Sequence, residues 1–440
     1  VSRRHLLKIG ASAALAAGAA PSIIIPGRAR AQQKTLKILQ WKNFMLGYDQ
    51  WFNETYVKQW GERNDTQVIV DNVGLADLIS RGRTEAEARR GHDLVLFWTP
   101  PAAHEDQVID HREIYEECER RYGKVADFAV RSTYNPRTRK HIGFCPAYQP
   151  AVTTYRKDLW DAVRSAPDSW ADVLPGGRRI KLLHGSAVGI SLAPETNAEQ
   201  TLRAIMYSFG ASEQDGDGNP ALKSKATLET IKYVKALYED AMTRDVLTWD
   251  AASNNQLILN GGGCMTLDTI AILRTAESLK LSIAKDLELA KTPEGPAGRL
   301  ECSFGLYTFS IWSFAENPEG AKRFLVDYTA ILREAVLTSG FNTMPTFPDV
   351  VPDLAALVAG DAGEGSPGKY GLLAEALSWT TNIGHPGFTN PVIGEVYDRG
   401  LIPTMFAQAA TGRLTAEEAL DQADKEVREI FQKWRERGKV

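Results

Sequence analysis

Asp93-Leu-Val-Leu-Phe-Trp98 is a compact apolar run stopped by Pro100-Pro101, and its reading decides the fold class. A short apolar run bounded by a turn signal fits a strand buried on both faces, as the strands of parallel sheets are. Upstream, Thr35-Leu-Lys-Ile-Leu-Gln-Trp41 alternates apolar and other residues and reads as a first strand. A loop with Asn43, Gly47 and Tyr48 leads into a helix-like stretch ending near Arg63, Gln67-Val-Ile-Val70 is a second strand, and 75–90 is helical. Strand, helix, strand, helix, strand at this spacing predicts a parallel sheet with covered faces.

The pattern continues towards the C-terminus. His141–Tyr148 and Val152–Tyr155 are strand-like, Asp168-Ser-Trp170 opens a short helix, and Glu195–Phe209 and Ala226–Met242 are amphipathic helices. Asp215-Gly-Asp-Gly-Asn-Pro220 is a turn cluster, and Asn260-Gly-Gly-Gly263 precedes a short strand over Cys264–Leu267. Pro318–Val326 reads as a helix with proline in its first turn. Thr415-x-x-Glu418 is a capping box before a helix whose Leu420, Ala423, Val427, Ile430 and Trp434 share one stripe. No internal repeat or low-complexity tract interrupts 34–440.

At 440 residues the chain exceeds one ordinary core, so two lobes are expected. The first thirty residues differ from the rest. Arg3-Arg4 precedes an uncharged Ala/Gly-rich run from Ile9 to Gly27 and the small-x-small sequence Ala29-Arg30-Ala31. This pattern predicts a twin-arginine-type signal peptide over 1–31, cleaved after Ala31, and export to the periplasm. An uncleaved anchor is the alternative. Residues 1–31 hold five basic and no acidic residues, so their removal takes the formal charge from −4 to −9 (46 Lys+Arg against 55 Asp+Glu). Such an acidic protein has no general attraction for nucleic acid, and none is expected as a partner. Cys118, Cys145, Cys264 and Cys302 form no C-x-x-C pair; disulfides and buried thiols both remain open.

Catalytic patterns are sparse. Ser186 in Gly185-Ser-Ala-Val-Gly189 lacks the glycine two residues before a nucleophile-elbow serine, and no P-loop or dinucleotide fingerprint occurs. Pro220 and Ala226 stand where a calcium loop needs Gly and Glu. His92, His104, His111, His141, His184 and His385 form no tight metal-ligand pair. No enzyme activity, metal or cofactor is expected, although distant carboxylates of a glycosidase would leave no local motif.

Aromatic residues at strand ends are the positive signal. Trp41 and Trp98 close the first and third strands, at the edge where open α/β sheets bind ligands. Tyr148, Trp312 and Phe388 lie at later element ends or loops, with Asn43, Glu195, Asp268 and Asn382 as polar partners. Flat rings edged by carboxylates and amides suit the C–H faces and hydroxyl rim of a sugar.

The order of segments resembles extracellular solute-binding proteins of family 1, the receptors of bacterial ABC sugar-type importers. The resemblance rests on Trp41, on 93–98, on Gly143-Phe-Cys-Pro146 before Tyr155-Arg-Lys-Asp158-Leu-Trp160, and on Pro167-Asp-Ser-Trp170. It continues through Leu259-Asn-Gly-Gly-Gly-Cys-Met265, Glu316-Asn-Pro318 to Phe324, and Gly412-Arg-Leu-Thr415 to Leu420. It implies an α/β, two-lobed periplasmic-binding-protein fold, each lobe a mostly parallel sheet flanked by helices, with several hinge crossings. The implied lobes are 34–143 plus 268–312 and 147–262 plus 317–440. The implied function is capture of a small polar solute, a mono- or oligosaccharide, by hinge closure. The ligand site would comprise Trp41, Asn43, Trp98, Tyr148, Glu195, Asp268, Trp312 and Phe388. The partners would be that ligand and an ABC transmembrane permease, with the protein a monomer. A secreted carbohydrate-active enzyme, or a receptor for a charged solute (polyol phosphate, polyamine or organic acid), is the alternative.

Overall fold

The structure is a computed structural model that describes residues 34–440 except Pro100, Ser303, Phe304, Ala362 and Glu364. The expected signal peptide over 1–31 lies outside the described residues. Among these, no helix is long and apolar enough to cross a membrane.

The opening strands form as their alternation requires. Lys34–Trp41 pairs in parallel with Thr66–Val73 along its whole length and with Leu94–Phe97 on its other side. Thr308–Ile311 adds to the Leu94–Phe97 edge in antiparallel sense. Helix Leu75–Ala88 links the second and third strands. All three parallel strands therefore end on one edge, at Trp41, Val73 and Phe97.

The second sheet has the order Leu287–Ala290, Val152–Arg156, Gly263–Asp268, Ala187–Gly189. Only its last pair is parallel, so this sheet is mixed and departs from the mostly parallel pattern expected of each lobe. Its two parallel strands end at Gly189 and Asp268. Helix Trp170–His184 runs further than the sequence reading, straight through Pro175 and the glycines after it. Gly176 is required there: a Cβ would sit 2.3 Å from the Trp160 ring. Ser169, Asn317 and Thr415 cap their helices with side-chain oxygens, and the Thr415–Glu418 capping box is complete.

Two hydrophobic cores result. One gathers residues from Leu36 to Val152 and from Ile270 to Leu373. The other gathers Leu159 to Met265, Cys302, and Ile383 to Trp434, including the predicted stripe of the C-terminal helix. One expected boundary is corrected by this packing. Helix Pro318–Ala330, assigned from sequence to the second lobe, belongs to the first core. Its Phe324 lies against Phe52, Tyr56 and Trp60, Tyr48 and Tyr328 share a 2.9 Å hydroxyl hydrogen bond, and Trp60 Nε1 donates to Asp327 Oδ2. The residues 48, 52, 56 and 60 form an aromatic face at helical spacing that this helix covers. All four cysteines are buried thiols.

Candidate functional site

At the carboxyl edge of the first sheet, Trp41 and Trp98 meet edge to face with ring centroids 4.4 Å apart. They are 3% and 6% exposed, so they are a packed pair rather than an open platform. Trp98 Nε1 is buried without a hydrogen-bond partner. The exposed ring beside them is Phe44, 55% accessible and 5.3 Å from Trp41, which the sequence reading passed over. Gly305 makes room for Trp98, since a Cβ there would stand 2.7 Å from the indole Cζ2.

Asn43 is buried, and both ends of its side-chain amide are hydrogen-bonded within the protein. Its Nδ2 donates to Tyr307 Oη at 2.7 Å and its Oδ1 accepts from Met45 N at 2.9 Å. Gln149 Nε2 donates to the same Tyr307 oxygen at 3.3 Å. Asn43 therefore shapes the edge on which Trp41 and Trp98 sit.

On the second sheet, Asp268 ends its strand as a buried carboxylate. It accepts from Asn254 Nδ2 at 2.6 Å, Asn197 Nδ2 at 3.2 Å and Thr269 N at 2.6 Å. Burial pushes its carboxyl up to about 7 despite these donors. Glu195 caps helix Thr196–Ser208, accepting from Asn197 N and Ala198 N at 2.7 Å each. Burial raises its carboxyl as well. Glu195 and Asp268 are near enough to repel one another. The structure thus brings together Trp41 with Trp98 at one sheet edge and Glu195 with Asp268 at the other.

Three predicted residues do not join either group. Trp312 is wholly buried in the first core, its Nε1 donating to Glu85 Oε2 at 3.1 Å and its ring stacked on Phe314. It has no face for a solute in this conformation, and its place is in the packing. Tyr148 is buried against Phe128, on a strand paired with Gly305–Leu306 and Met344–Pro345. Phe388 lies under the Arg131 guanidinium, 5.1 Å away. Arg131 and the fully buried Asn382 line a separate cavity of about 620 Å³ beside helix Asp127–Thr133.

The cavity with one wall from each core lies between helix Leu75–Ala88 and helix Pro391–Asp398. Its narrow part, about 60 Å³, is mostly apolar, with Phe97, Ile79, Ile383 and Ile393 in its lining together with Arg83, His104 and Asp398. Its wider part, about 200 Å³, takes in Glu195, Glu199 and Tyr397. Arg83 and Asp398 approach to 3.6 Å across it. Glu195 is the one predicted site residue on this cavity. Asn390-Pro391 is a helix-start signature in the sequence that would have flagged the second wall.

The same two-core arrangement appears in known proteins. The family model for bacterial extracellular solute-binding protein matches residues 47–328. The chain belongs to this family. A binding protein of Brucella abortus is 25% identical over 167 residues, 36% of this chain, and the chain spans 39% of the length of such curated relatives. In structure, a Thermotoga lettingae ABC transporter solute-binding protein bound with α-D-tagatose superposes with TM-score 0.74 at 18% identity, covering 90% of this chain and 99% of that one. Maltose-bound MalE3 of T. maritima gives 0.73 at 16%, with the same coverage. An Agrobacterium radiobacter ABC transporter solute-binding protein with ribitol gives 0.70 at 16%, covering 90% and 98%. The fold of this solute-binding protein is accordingly the two-lobed one. Among the described residues, no group of three or more His, Cys, Asp or Glu could hold a metal ion.

Proposed function

We propose that this solute-binding protein is the receptor of an ABC importer, which captures a small hydroxylated solute, a sugar or polyol, between its lobes and passes it to a membrane permease. The observation that carries the reading is the cavity walled by Phe97 of one core, with Ile79 of helix Leu75–Ala88 beside it, and by Ile393 and Tyr397 of the other. A ligand touching both walls stabilises the shut state by its extra contacts there, and only that difference can drive closure. Rotation would be absorbed where the chain passes between the cores, near 152–159, 265–270 and 373–383.

The fold relatives bind tagatose, maltose and ribitol, which supports the solute class. On this reading residues 1–31 direct export and are removed, the mature protein works in the periplasm as a monomer, and it returns its ligand unchanged. Among the residues expected from sequence to hold the solute, Glu195 touches it from the second lobe, while Trp41, Asn43, Trp98 and Asp268 support the two sheet edges behind the cavity walls.

A thermal-shift series with D-tagatose, ribitol and maltose tests the proposal. At least one is expected to raise Tm with its concentration, as a ligand specific to the folded state must. Absence of any shift across the three rejects a sugar or polyol receptor. Chromatography of the same solute after long incubation separates a receptor from an enzyme: a cleaved product contradicts the proposal.

A further inference from the structure

The wider part of the interlobe cavity is rich in carboxyl groups that could accept hydrogen bonds from a solute. Glu195, Glu199 and Asp398 line it, and all three carboxyls are raised by burial. Two cations also line it, Arg83 and Arg399. The Arg399 guanidinium is engaged by Glu395. Arg83 reaches Asp398 only loosely, with half of its side chain in solvent. Arg203, behind the wall, is shared between Glu199 and Glu213. Glu199 is thus the one carboxyl of this wall whose counter-ion lies behind it and is shared with a second carboxylate.

Two orphaned polar atoms sit in the same wall. Glu199 is 2% exposed, and its Oε2 is taken by Arg203 while its Oε1 has no partner. The Tyr397 hydroxyl is also buried and unpartnered. A buried carboxylate oxygen without a donor is costly, and a cation is the partner that best removes that cost. Beside these groups lies the narrow part, where Ile79, Phe97, Ile383 and Ile393 supply apolar surface next to Arg83 and His104. Such a site fits an ammonium at one end and a C–H-rich body at the other.

We infer that the wide end of the interlobe cavity is an ammonium subsite, with Glu199, Tyr397 and Asp398 as its acceptors, and that the solute is an amino sugar or an aminated polyol. This rests on the cavity being the solute site proposed above. Glu199 is the central acceptor, Asp398 completes the charge from the rim, and the Tyr397 hydroxyl accepts a second ammonium proton. A primary ammonium has three donors, which matches three acceptors, and charge-assisted hydrogen bonds are the strong ones.

Calorimetric titration at neutral pH and low salt with two matched pairs, each exchanging one hydroxyl for a primary amine, tests the subsite: 1-amino-1-deoxy-D-glucitol against D-glucitol, and D-glucosamine against D-glucose. Within at least one pair the amine is expected to bind about ten-fold tighter or better than its neutral partner. Glu199→Gln is expected to abolish that preference. Since Glu199 also pairs with buried Arg203, Asp398→Asn at the half-exposed rim is the second variant, expected to cut the preference several-fold. Equal or tighter binding of the neutral partners, no binding of either amine, or a preference that survives both variants overturns the subsite. Binding of neutral solutes without amine preference leaves solute capture standing and removes only this inference. Silence from all four compounds, together with no shift in the tagatose, ribitol and maltose series, removes both.

Discussion

The Trp98 indole rests on the backbone of Gly305, so close that a methyl group there would lie 2.7 Å from its Cζ2. This contact joins the carboxyl edge of the first sheet to the strand Gly305–Leu306. Gly305→Ala is therefore expected to push Trp98 off its seat against Trp41. Overpacking of this kind costs about 1–3 kcal/mol, read as a lower urea midpoint. Weaker solute binding should accompany it. An unchanged midpoint and affinity would show that the indole yields freely and does not organise the edge.

Trp312 and Trp98 should behave differently on truncation. Trp312 is sealed in the first core, bonded to Glu85, so Trp312→Ala is expected to cost about 3–5 kcal/mol of stability. Where enough folded protein remains, its affinity for solute should be close to that of the parent. A selective loss of affinity at full stability would put Trp312 in the site after all.

Buried Arg203 between Glu199 and Glu213 predicts a large asymmetric effect. Its Nε donates to Glu213 Oε1 at 2.5 Å, and its Nη1 donates to the Glu199 carboxylate. Arg203→Ala leaves two carboxylates facing each other without a counter-ion, and loss of about 3–5 kcal/mol is expected. Measured by chemical denaturation, a loss below about 1 kcal/mol would mean that water reaches the triad as it reaches a surface pair.

Glu301 sets a pH dependence. Burial lifts its carboxyl to about 8 although Thr380 Oγ1 and Ala151 N both donate to it. The folded state then holds a proton that the unfolded state gives up near 4.5. Its stabilising contribution is complete below 4.5 and is lost as pH rises towards 8, with a limiting slope of about 1.4 kcal/mol per pH unit. Glu301→Gln keeps the acceptor and cannot ionise, so its stability should be flatter across this window. Parallel pH profiles for the two proteins would refute the assignment.

Much of the first sheet was legible because period-2 alternation and an apolar run are local signals. Thr35 to Trp41 and Asp93 to Trp98 lie within one residue of the observed strands. Helix starts were legible for the same reason at Trp170, at Pro318 and at the Thr415 capping box, although the sequence reading passed over the caps at Ser169 and Asn317. The mixed pairing of the second sheet was not, because strand direction depends on contacts far along the chain. Nor was the placement of Phe324: an apolar helix face declares that it needs cover, not which core supplies it. The candidate site divides in the same way. The C-terminal ends of strands placed Trp41, Trp98 and Asp268 correctly at sheet edges. Burial then separated Trp312 from them, and the wall formed by Tyr397 and Asp398 arises only when distant helices meet.

The claim beneath these points is that two bodies shut on a solute held between helix Leu75–Ala88 and helix Pro391–Asp398. Small-angle X-ray scattering, with and without whichever probe solute raises Tm, tests it directly. The radius of gyration should fall on saturation and fall less in Asp398→Asn, which lacks the charge that reaches across to Arg83. A radius that stays constant while the solute is fully bound would contradict closure as the mechanism of capture.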